Sequence, residues 1–254
     1  MKIRDIYNYI NKIAPFTTAM PFDNVGLLIG DTDDDVSGVM LCLDVTFGVV
    51  RQAAENNCNL IVSHHPVIFD PLSKIEKHTV LWELVQNNIS VISAHTNLDA
   101  AENGVVENLC DALNMSDIKP LCDPRYPDLP PIARSGVIPN PMPPKDFAVY
   151  VKECLDTSAV RVKYGNKPVK NIAVASGSGG SLTTQGVVNG FDAFVVGEIK
   201  HEHWLSMENT DMTIIEAGHF ITEAVFKKPL AEKMEKDLSL KIILADERLI
   251  YTYA

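Results

Sequence analysis

The sequence predicts an α/β protein whose sheet is at least partly parallel. Three observations carry this. Short apolar runs such as Leu60-Ile61-Val62-Ser63 and Val91-Ile92-Ser93-Ala94 lack polar alternation, as strands buried on both faces do. Stretches with helical period separate these runs, which is the rhythm of βαβ units. Imidazoles and carboxylates stand just past several of the runs, at the carboxyl ends of strands, where open α/β folds bind ligands.

Taken in order, residues 3 to 13 read as an amphipathic helix with Ile3, Ile6, Tyr7 and Ile10 on one face, ended near Pro15. Pro21-Phe22-Asp23-Asn24-Val25-Gly26 is a turn-rich loop. The acidic stretch Asp31 to Asp35 reads as a solvated loop before the strand Gly38 to Leu43. There follow a helix near 46 to 57, a strand at 59 to 63, a helix near 78 to 88, a strand at 90 to 94 and a helix near 103 to 113. Such strands are joined by right-handed crossovers. Residues 119 to 144 hold many of the prolines, including Pro130-Pro131 and Pro139-Asn140-Pro141, and no long helical or strand period. They are the expected inter-domain region, with halves at 1–122 and 123–254. The second α/β half has strands near 171 to 175, 192 to 196 and 212 to 216 with helices between. It ends in a helix from about 219, kinked or broken near Pro229, and strands near 241 to 252. His64 and His201 each follow an apolar strand in their own half, a faint sign of duplication.

A chain of 254 residues can bury a substantial core as one large domain or two ordinary ones, and 46% hydrophobic with 22% charged residues is a globular composition. The net charge of −11 and a pI near 5.0 argue against general affinity for nucleic-acid backbones or anionic membranes. Cys42, Cys58, Cys110, Cys122 and Cys154 form no C-x-x-C pair and fall mostly in apolar patterns, as reduced core residues do. The N-terminal segment is charged throughout, without the apolar core of a signal peptide, and no run reaches transmembrane length. A cytoplasmic location is the expectation.

Asn59-Leu60-Ile61-Val62-Ser63-His64-His65-Pro66 carries two imidazoles off the end of one strand. Adjacent strand residues point to opposite faces, but these lie past the β-branched run, and Pro66 keeps His65 extended, so both rings can turn to one cavity. A second strand ends in His95-Thr96-Asn97-Leu98-Asp99, an imidazole followed by a carboxylate. Gly218-His219-Phe220-Ile221-Thr222-Glu223 spaces His219 and Glu223 four apart, on one face of a helix. His64, His65, Asp99, His219 and Glu223 together suit a borderline ion such as zinc, iron, manganese, cobalt or nickel, and are poor for calcium. Five ligands exceed one tetrahedral ion, so two divalent ions per subunit is the economical expectation.

His95 reads either as a residue that orients a ligand, moves protons or holds substrate, or as a hydrogen-bonded scaffold residue. Glu198 and His201, three apart in Gly197-Glu198-Ile199-Lys200-His201-Glu202-His203, are expected on one helix face as acid and base or a further metal site. His203 reads as a solvated helix start, and His78 as a surface residue. Ser176-Gly177-Ser178-Gly179-Gly180-Ser181 follows a strand and precedes a helix, so the backbone at Gly177, Gly179 and Gly180 reads either as a phosphate cradle or as a tight turn beside the site. It lacks the G-K-[ST] ending of a Walker loop, and the chain has no G-x-S-x-G elbow and no H-E-x-x-H.

Asp23-Asn24-Val25-Gly26-Leu27, Leu43-Asp44-Val45-Thr46, Ser63-His64-His65-Pro66, His95 to Asp99, Gly197 to His201 and Ala217-Gly218-His219 with Glu223 occur in an order that resembles the Nif-three-like family, the GTP cyclohydrolase I type 2 homologues. The likeness spans nearly the whole chain. It implies two similar, intertwined α/β halves, a toroidal homohexamer, and a dinuclear metal centre facing the inner cavity. The family's ligands carry over to His64, His65, Asp99, His219 and Glu223, with His95 close to the metals and His201 in a motif that faces them. The chain is similar to the short form, without a domain inserted between the halves. It departs from the family at Phe22, where a Trp is usual, at Glu202, often a His, and in a sparser glycine loop. These departures bear on substrate contacts and leave the presumed ligands in place.

The expected function is a metal-dependent hydrolase acting on a nucleotide-like substrate, with GTP ring opening the named candidate and His95, His201 and Glu198 as proton-handling groups. A metal-binding assembly or regulatory protein without turnover is the alternative from another class, and a generic phosphoesterase is a third.

Overall fold

The computed structural model describes residues 1–123 and 126–252. The chain forms two compact units, Met1–Glu102 with Lys227–Arg248, and Asn103–Phe226 with the segment from Leu249. The first unit opens with α1 (Ile3–Ile13), which buries Ile3, Ile6 and Ile10. Asp5 accepts from the Lys2 N–H at 2.8 Å, so a donor at the helix start is satisfied. There follow β1 (Gly26–Ile29), β2 (Val39–Cys42), α2 (Phe47–Glu55), β3 (Leu60–Ser63), α3 (Val80–Gln86), β4 (Ser90–Ser93) and the short α4 (Thr96–Ala100). The Thr46 and Thr79 hydroxyls accept from the N–H groups of Val49 and Trp82 and so start α2 and α3. Asn57 and Asn88, at φ 56° and 51°, stop them, because Asn tolerates the left-handed backbone that ends a helix.

The second unit contains α5 (Val105–Ala112), β5 (Ser116–Leu121), β6 (Ala133–Met142), α6 (Pro144–Cys154), β7 (Arg161–Lys163), β8 (Val169–Ala175), α7 (Thr183–Val188), β9 (Ala193–Val196), α8 (His201–Ser206), β10 (Thr213–Glu216) and α9 (His219–Ala224). The chain then resumes the first unit with α10 (Lys227–Leu238) and β11 (Ile242–Leu244).

The first unit's sheet has the order β1-β4-β3-β2-β11, with β4, β3, β2 and β11 parallel and β1 antiparallel at the edge. Every residue of β2, β3 and β4 is buried, as the unalternating apolar runs require. Met40, Cys42, Ile61 and Val91 pack with Val49, Val50, Ala53 and Leu84 of the covering helices. The second sheet has the order β5-β6-β8-β9-β10-β7, parallel only through β8, β9 and β10. Successive residues of β8 and β9 serve opposite faces: Ile172, Val174, Ala193 and Val195 join one core, and Ala173, Ala175, Phe194 and Val196 another. The chain thus adopts the predicted α/β class, with mixed, partly parallel sheets flanked by helices. Among the described residues no helix is long and apolar enough to cross a membrane.

Several expectations are corrected. The stretch at 119 to 144, read as a linker, takes in the end of β5 and all of β6 of the second sheet. Three prolines misled because they occupy places where a missing N–H is tolerated. Pro120 lies on β5 at the sheet edge, and Pro139 and Pro141 fall in the irregular register between Val137 and Met142. Helix α5 packs Val106, Leu109 and Cys110 into the second unit's core. Helix α6, strands β1 and β7, and helix α4 were not foreseen. The helix from 219 is broken at Val225-Phe226 into α9 and α10, with Pro229 in the first turn of α10, and only Ile242–Leu244 of the closing segment is a strand. Cys42, Cys58 and Cys110 are buried and free, and burial pushes the Cys110 thiol up to about 12, whereas Cys122 is exposed.

Candidate metal centre

Because β2, β3 and β4 are parallel neighbours, their carboxyl ends share one edge of the sheet. Adjacent strands lie about 4.8 Å apart, so residues just past those ends meet. Asp44 stands two residues past β2, His64 and His65 directly past β3, and His95 two past β4. The ring centroids of His64 lie 5.2 Å from His65 and 5.1 Å from His95, and those of His65 and His95 are 5.5 Å apart. Each ring offers a nitrogen within 4.8 Å of the others'.

Each Nδ1 already has an acceptor. That of His64, which is wholly buried, lies 2.9 Å from the Ala94 carbonyl oxygen. A carbonyl only accepts, so Nδ1 carries the hydrogen and Nε2 is the nitrogen with a lone pair to offer. His65 Nδ1 is 2.8 Å from Asp44 Oδ1, and His95 Nδ1 is 2.8 Å from Asp23 Oδ1. The Asp23 side chain is fully enclosed and also accepts from the Thr96 hydroxyl and from the Thr96 N–H at 3.0 Å. Burial alone would raise the Asp23 carboxyl, but the bonds from His95 and Thr96 hold it below the usual carboxylate range. Carboxylates and carbonyls behind imidazoles in this way fix the tautomer and ring orientation of metal-binding histidines.

The unforeseen α4 recruits Asp99. Its first turn folds the chain back so that the N–H groups of Leu98 and Asp99 both bond the His95 carbonyl, at 2.8 and 3.0 Å. Asp99 Oδ1 comes to 3.7 Å from His64 Nε2. Two donors bound to one ion at about 2.1 Å are about 3.0 Å apart at a right angle and about 3.4 Å at the tetrahedral angle. The spacing is near that of two ligands and too long for a hydrogen bond. His64, His65 and Asp99 therefore offer imidazoles and a carboxylate that suit a borderline divalent ion, with His95 beside them.

The second unit repeats the principle. β8, β9 and β10 are parallel neighbours, and past their ends stand Gly177, Glu198 and His219. His219 Nδ1 is 3.2 Å from Glu198 Oε2, and His219 Nε2 is 2.9 Å from Glu223 Oε2, one turn along α9. The Glu223 side chain is 4% exposed and that of Glu198 57%. Glu198 thus stands behind His219 much as Asp44 stands behind His65.

The glycine loop lies against this pair. At Gly177 (φ 51°) a Cβ would collide with Glu223 Oε1 and stand 3.2 Å from His219 Nε2, so only glycine leaves Glu223 its place. The Gly177 N–H donates to the Thr222 hydroxyl at 3.2 Å and that of Gly180 to the Glu198 carbonyl at 3.1 Å. Two of the three supposed phosphate donors are therefore engaged within the protein, while Gly179 is buried in the 3₁₀ turn Gly179–Leu182.

In unit one the structure gathers His64, His65, His95 and Asp99; in unit two, His219, Glu223 and Glu198. Glu198 and His201 do not share a helix face, because α8 begins at His201 and Glu198 lies in the turn before it. The exposed His201 imidazole makes no hydrogen bond or ion pair among the described residues. The roles of Asp23 and Asp44 were missed; their signal is an acid in a turn or just past an apolar strand, the sites from which neighbouring strand ends are reached. Two phenylalanines also flank the imidazoles. Phe22 and Phe69 are 55% and 46% exposed with centroids 6.5 Å apart, and Phe69 meets His95 edge-on at 6.4 Å. Asn24 ties their loops by donating to the Ile68 carbonyl at 2.7 Å.

Residues 1–248 match the family model described as Duf34/NIF3 (NGG1p interacting factor 3). A Clostridium acetobutylicum protein named GTP cyclohydrolase 1 type 2 homolog is 31% identical over 241 residues, covering 92% of this chain and 90% of its own. A Campylobacter jejuni protein of the same name is 31% identical over 261 residues, covering all of both chains. Among solved structures, the Staphylococcus aureus hypothetical protein SA1388 superposes with a TM-score of 0.91 at 28% identity, over 100% of this chain and 99% of that one. Reduced HcgD from Methanocaldococcus jannaschii does so with a TM-score of 0.82 at 27% identity, over 97% and 98%.

Proposed function

Since this chain belongs to the Duf34/NIF3 family, as its motifs implied, we propose that it is a metal-dependent hydrolase acting on a nucleotide-like substrate, with GTP ring opening the first reaction to test. His64, His65, Asp99, His219 and Glu223 would hold two divalent ions, an assignment supported by the family's motif order and by the donor chemistry of each unit's set. Bound divalent ions lower the pKa of a water molecule toward neutrality and offset charge developing on the substrate.

The observation that carries this reading is the trio His64, His65 and His95, gathered with each Nδ1 set against a fixed acceptor. Imidazoles arranged for packing alone do not need a shared tautomer; a ligand or a proton carrier acting at Nε2 does. His95, backed by the ionised Asp23, is suited to take and return a proton at Nε2 during turnover. Glu198 orients His219 through its Nδ1. His201, exposed at the start of α8, can exchange protons with solvent. Phe69 offers apolar ring surface beside His95, with Phe22 next to it, and a stacked aromatic base gains about 1–3 kcal/mol on such a surface. Assembly as a homohexamer is part of the proposal and rests on the family resemblance.

The test is elemental analysis of protein purified without added metal, beside a His64→Ala/Glu223→Ala variant, followed by an assay for loss of purine absorbance with GTP. Near two ions per subunit in the parent, few in the variant, and turnover only by the parent are expected. Metal without turnover would leave a metal-binding assembly protein; turnover of simple phosphate esters but not of GTP would leave a phosphoesterase. Equal metal content in parent and variant would overturn the ligand assignment.

A further inference from the structure

Asp44 holds the His65 ring, and the turn that carries Asp44 is held in its own right from the far end of the sequence. Strand β11 runs parallel to β2, and one residue past it the Ala245 N–H still donates to the Leu41 carbonyl at 2.9 Å. Gln52 on α2 then brackets the next residue. Its side-chain oxygen accepts from the Asp246 N–H at 2.8 Å and its amide nitrogen donates to the Asp246 carbonyl at 3.1 Å. This register sets Glu247 against the carboxyl end of β2. Glu247 Oε2 accepts from the Leu43 N–H and Oε1 from the Asp44 N–H, each at 2.9 Å. Lys227, at the start of α10, places its ammonium 2.7 Å from Glu247 Oε2. The Glu247 side chain is 6% exposed, so these bonds are shielded from solvent.

We propose that Glu247 is a positioning residue of the metal centre, acting through the Leu43-Asp44 backbone and the Asp44 carboxylate on His65. The inference rests on the reading of His65 as a ligand. An Asp just past a strand end lies beyond the regular ladder and has several rotamers, and a bond to His65 Nδ1 at 2.8 Å orients the ring only if its backbone is fixed. A buried carboxylate that bonds two successive N–H groups fixes both peptide planes. Lys227 offsets the charge that Glu247 brings near Asp44.

The experiment compares the full chain with Glu247→Gln, Asp44→Asn and His65→Ala. Two readouts are taken: the nitrogen-15 shifts of the His65 ring in metal-free protein, well above the imidazole range, and the zinc dissociation constant by chelator competition. In the parent, His65 is expected to carry its hydrogen on Nδ1. Glu247→Gln and Asp44→Asn should both shift it toward the Nε2–H form and weaken zinc binding about 10- to 100-fold, with circular dichroism unchanged. Should Glu247→Gln fail to fold, Lys227→Met, which frees Glu247 from its cation, should move both readouts the same way by less.

If Glu247→Gln leaves the tautomer and the zinc affinity of the parent while Asp44→Asn changes both, Glu247 does not act on His65 and the proposal is overturned. Unchanged zinc binding in His65→Ala would instead remove His65 from the ligand set. The tautomer readout, which needs no metal, would still show whether Glu247 orients that ring.

Discussion

His95 and Asp23, 72 residues apart in sequence, meet through His95 Nδ1 and Asp23 Oδ1 at 2.8 Å, and Asp23 also secures Thr96 at the start of α4. One enclosed carboxylate therefore sets both the ring of His95 and the helix that brings Asp99 to His64. Asp23→Asn replaces an acceptor-only group with one that also donates. It should cost about 1–3 kcal/mol, the range for leaving buried donors poorly paired. Denaturant unfolding would measure it, and a double cycle with His95→Ala should recover part of the loss as coupling.

Gly177→Ala is a steric probe of Glu223. The new methyl would occupy the place of Glu223 Oε1 and would hold a left-handed φ of 51°. A loss of at least about 1 kcal/mol in stability and a fall in bound metal are expected. Full metal content in this variant would mean that Glu223 does not hold metal from its present position.

Phe22→Leu and Phe69→Leu test the aromatic surface beside His95. Each should weaken GTP binding about tenfold, the equivalent of about 1.4 kcal/mol of stacking, with unaltered metal content and unaltered affinity for tripolyphosphate. Calorimetry with both ligands separates base recognition from phosphate recognition, and equal losses for the two would rule out stacking.

A pH dependence follows from Tyr9 and Asp237, which join α1 to α10 by a hydroxyl-to-carboxylate bond of 2.9 Å. The Tyr9 bond, followed by that of Lys233, holds the Asp237 carboxyl below its ordinary value. Burial and then Asp237 push the Tyr9 phenol up. The contribution of the depressed carboxyl is present above about pH 4 and is lost as pH falls through its folded value. That of the raised phenol is present below about pH 10 and is lost as pH rises beyond it. The melting-temperature difference between parent and Tyr9→Phe should therefore be flat from pH 5 to 9 and shrink on both sides.

The homohexamer predicts a mass near six times the 28.0 kDa chain by light scattering at micromolar concentration. A mass of one or two chains that does not change with concentration would refute it.

The alternation of apolar strands and helices was legible because buried parallel strands and amphipathic helices each leave a local period in the chain, as Leu60–Ser63 and Ile3–Ile13 do. His219 and Glu223 were legible for the same reason, since four residues is one helical turn. His64-His65 announced itself by position at a strand end. What the chain order could not disclose was everything decided between strands. Pro120, Pro139 and Pro141 looked like a linker because nothing local says whether a missing N–H falls at a sheet edge or a register break. Asp23 and Asp44 carry only the signal of an acid in a turn or past a strand, which names no partner, and Glu247 carries none; their partners lie 72, 21 and more than 200 residues away. Hydrogen bonds at such separations exist only after the sheet has set which strand ends are neighbours. Sequence by itself determined those elements that leave a local period and the kinds of side chain offered past the strand ends; the tertiary fold determined the tautomers, because a ring's hydrogen is placed by the acceptor that packing brings to it.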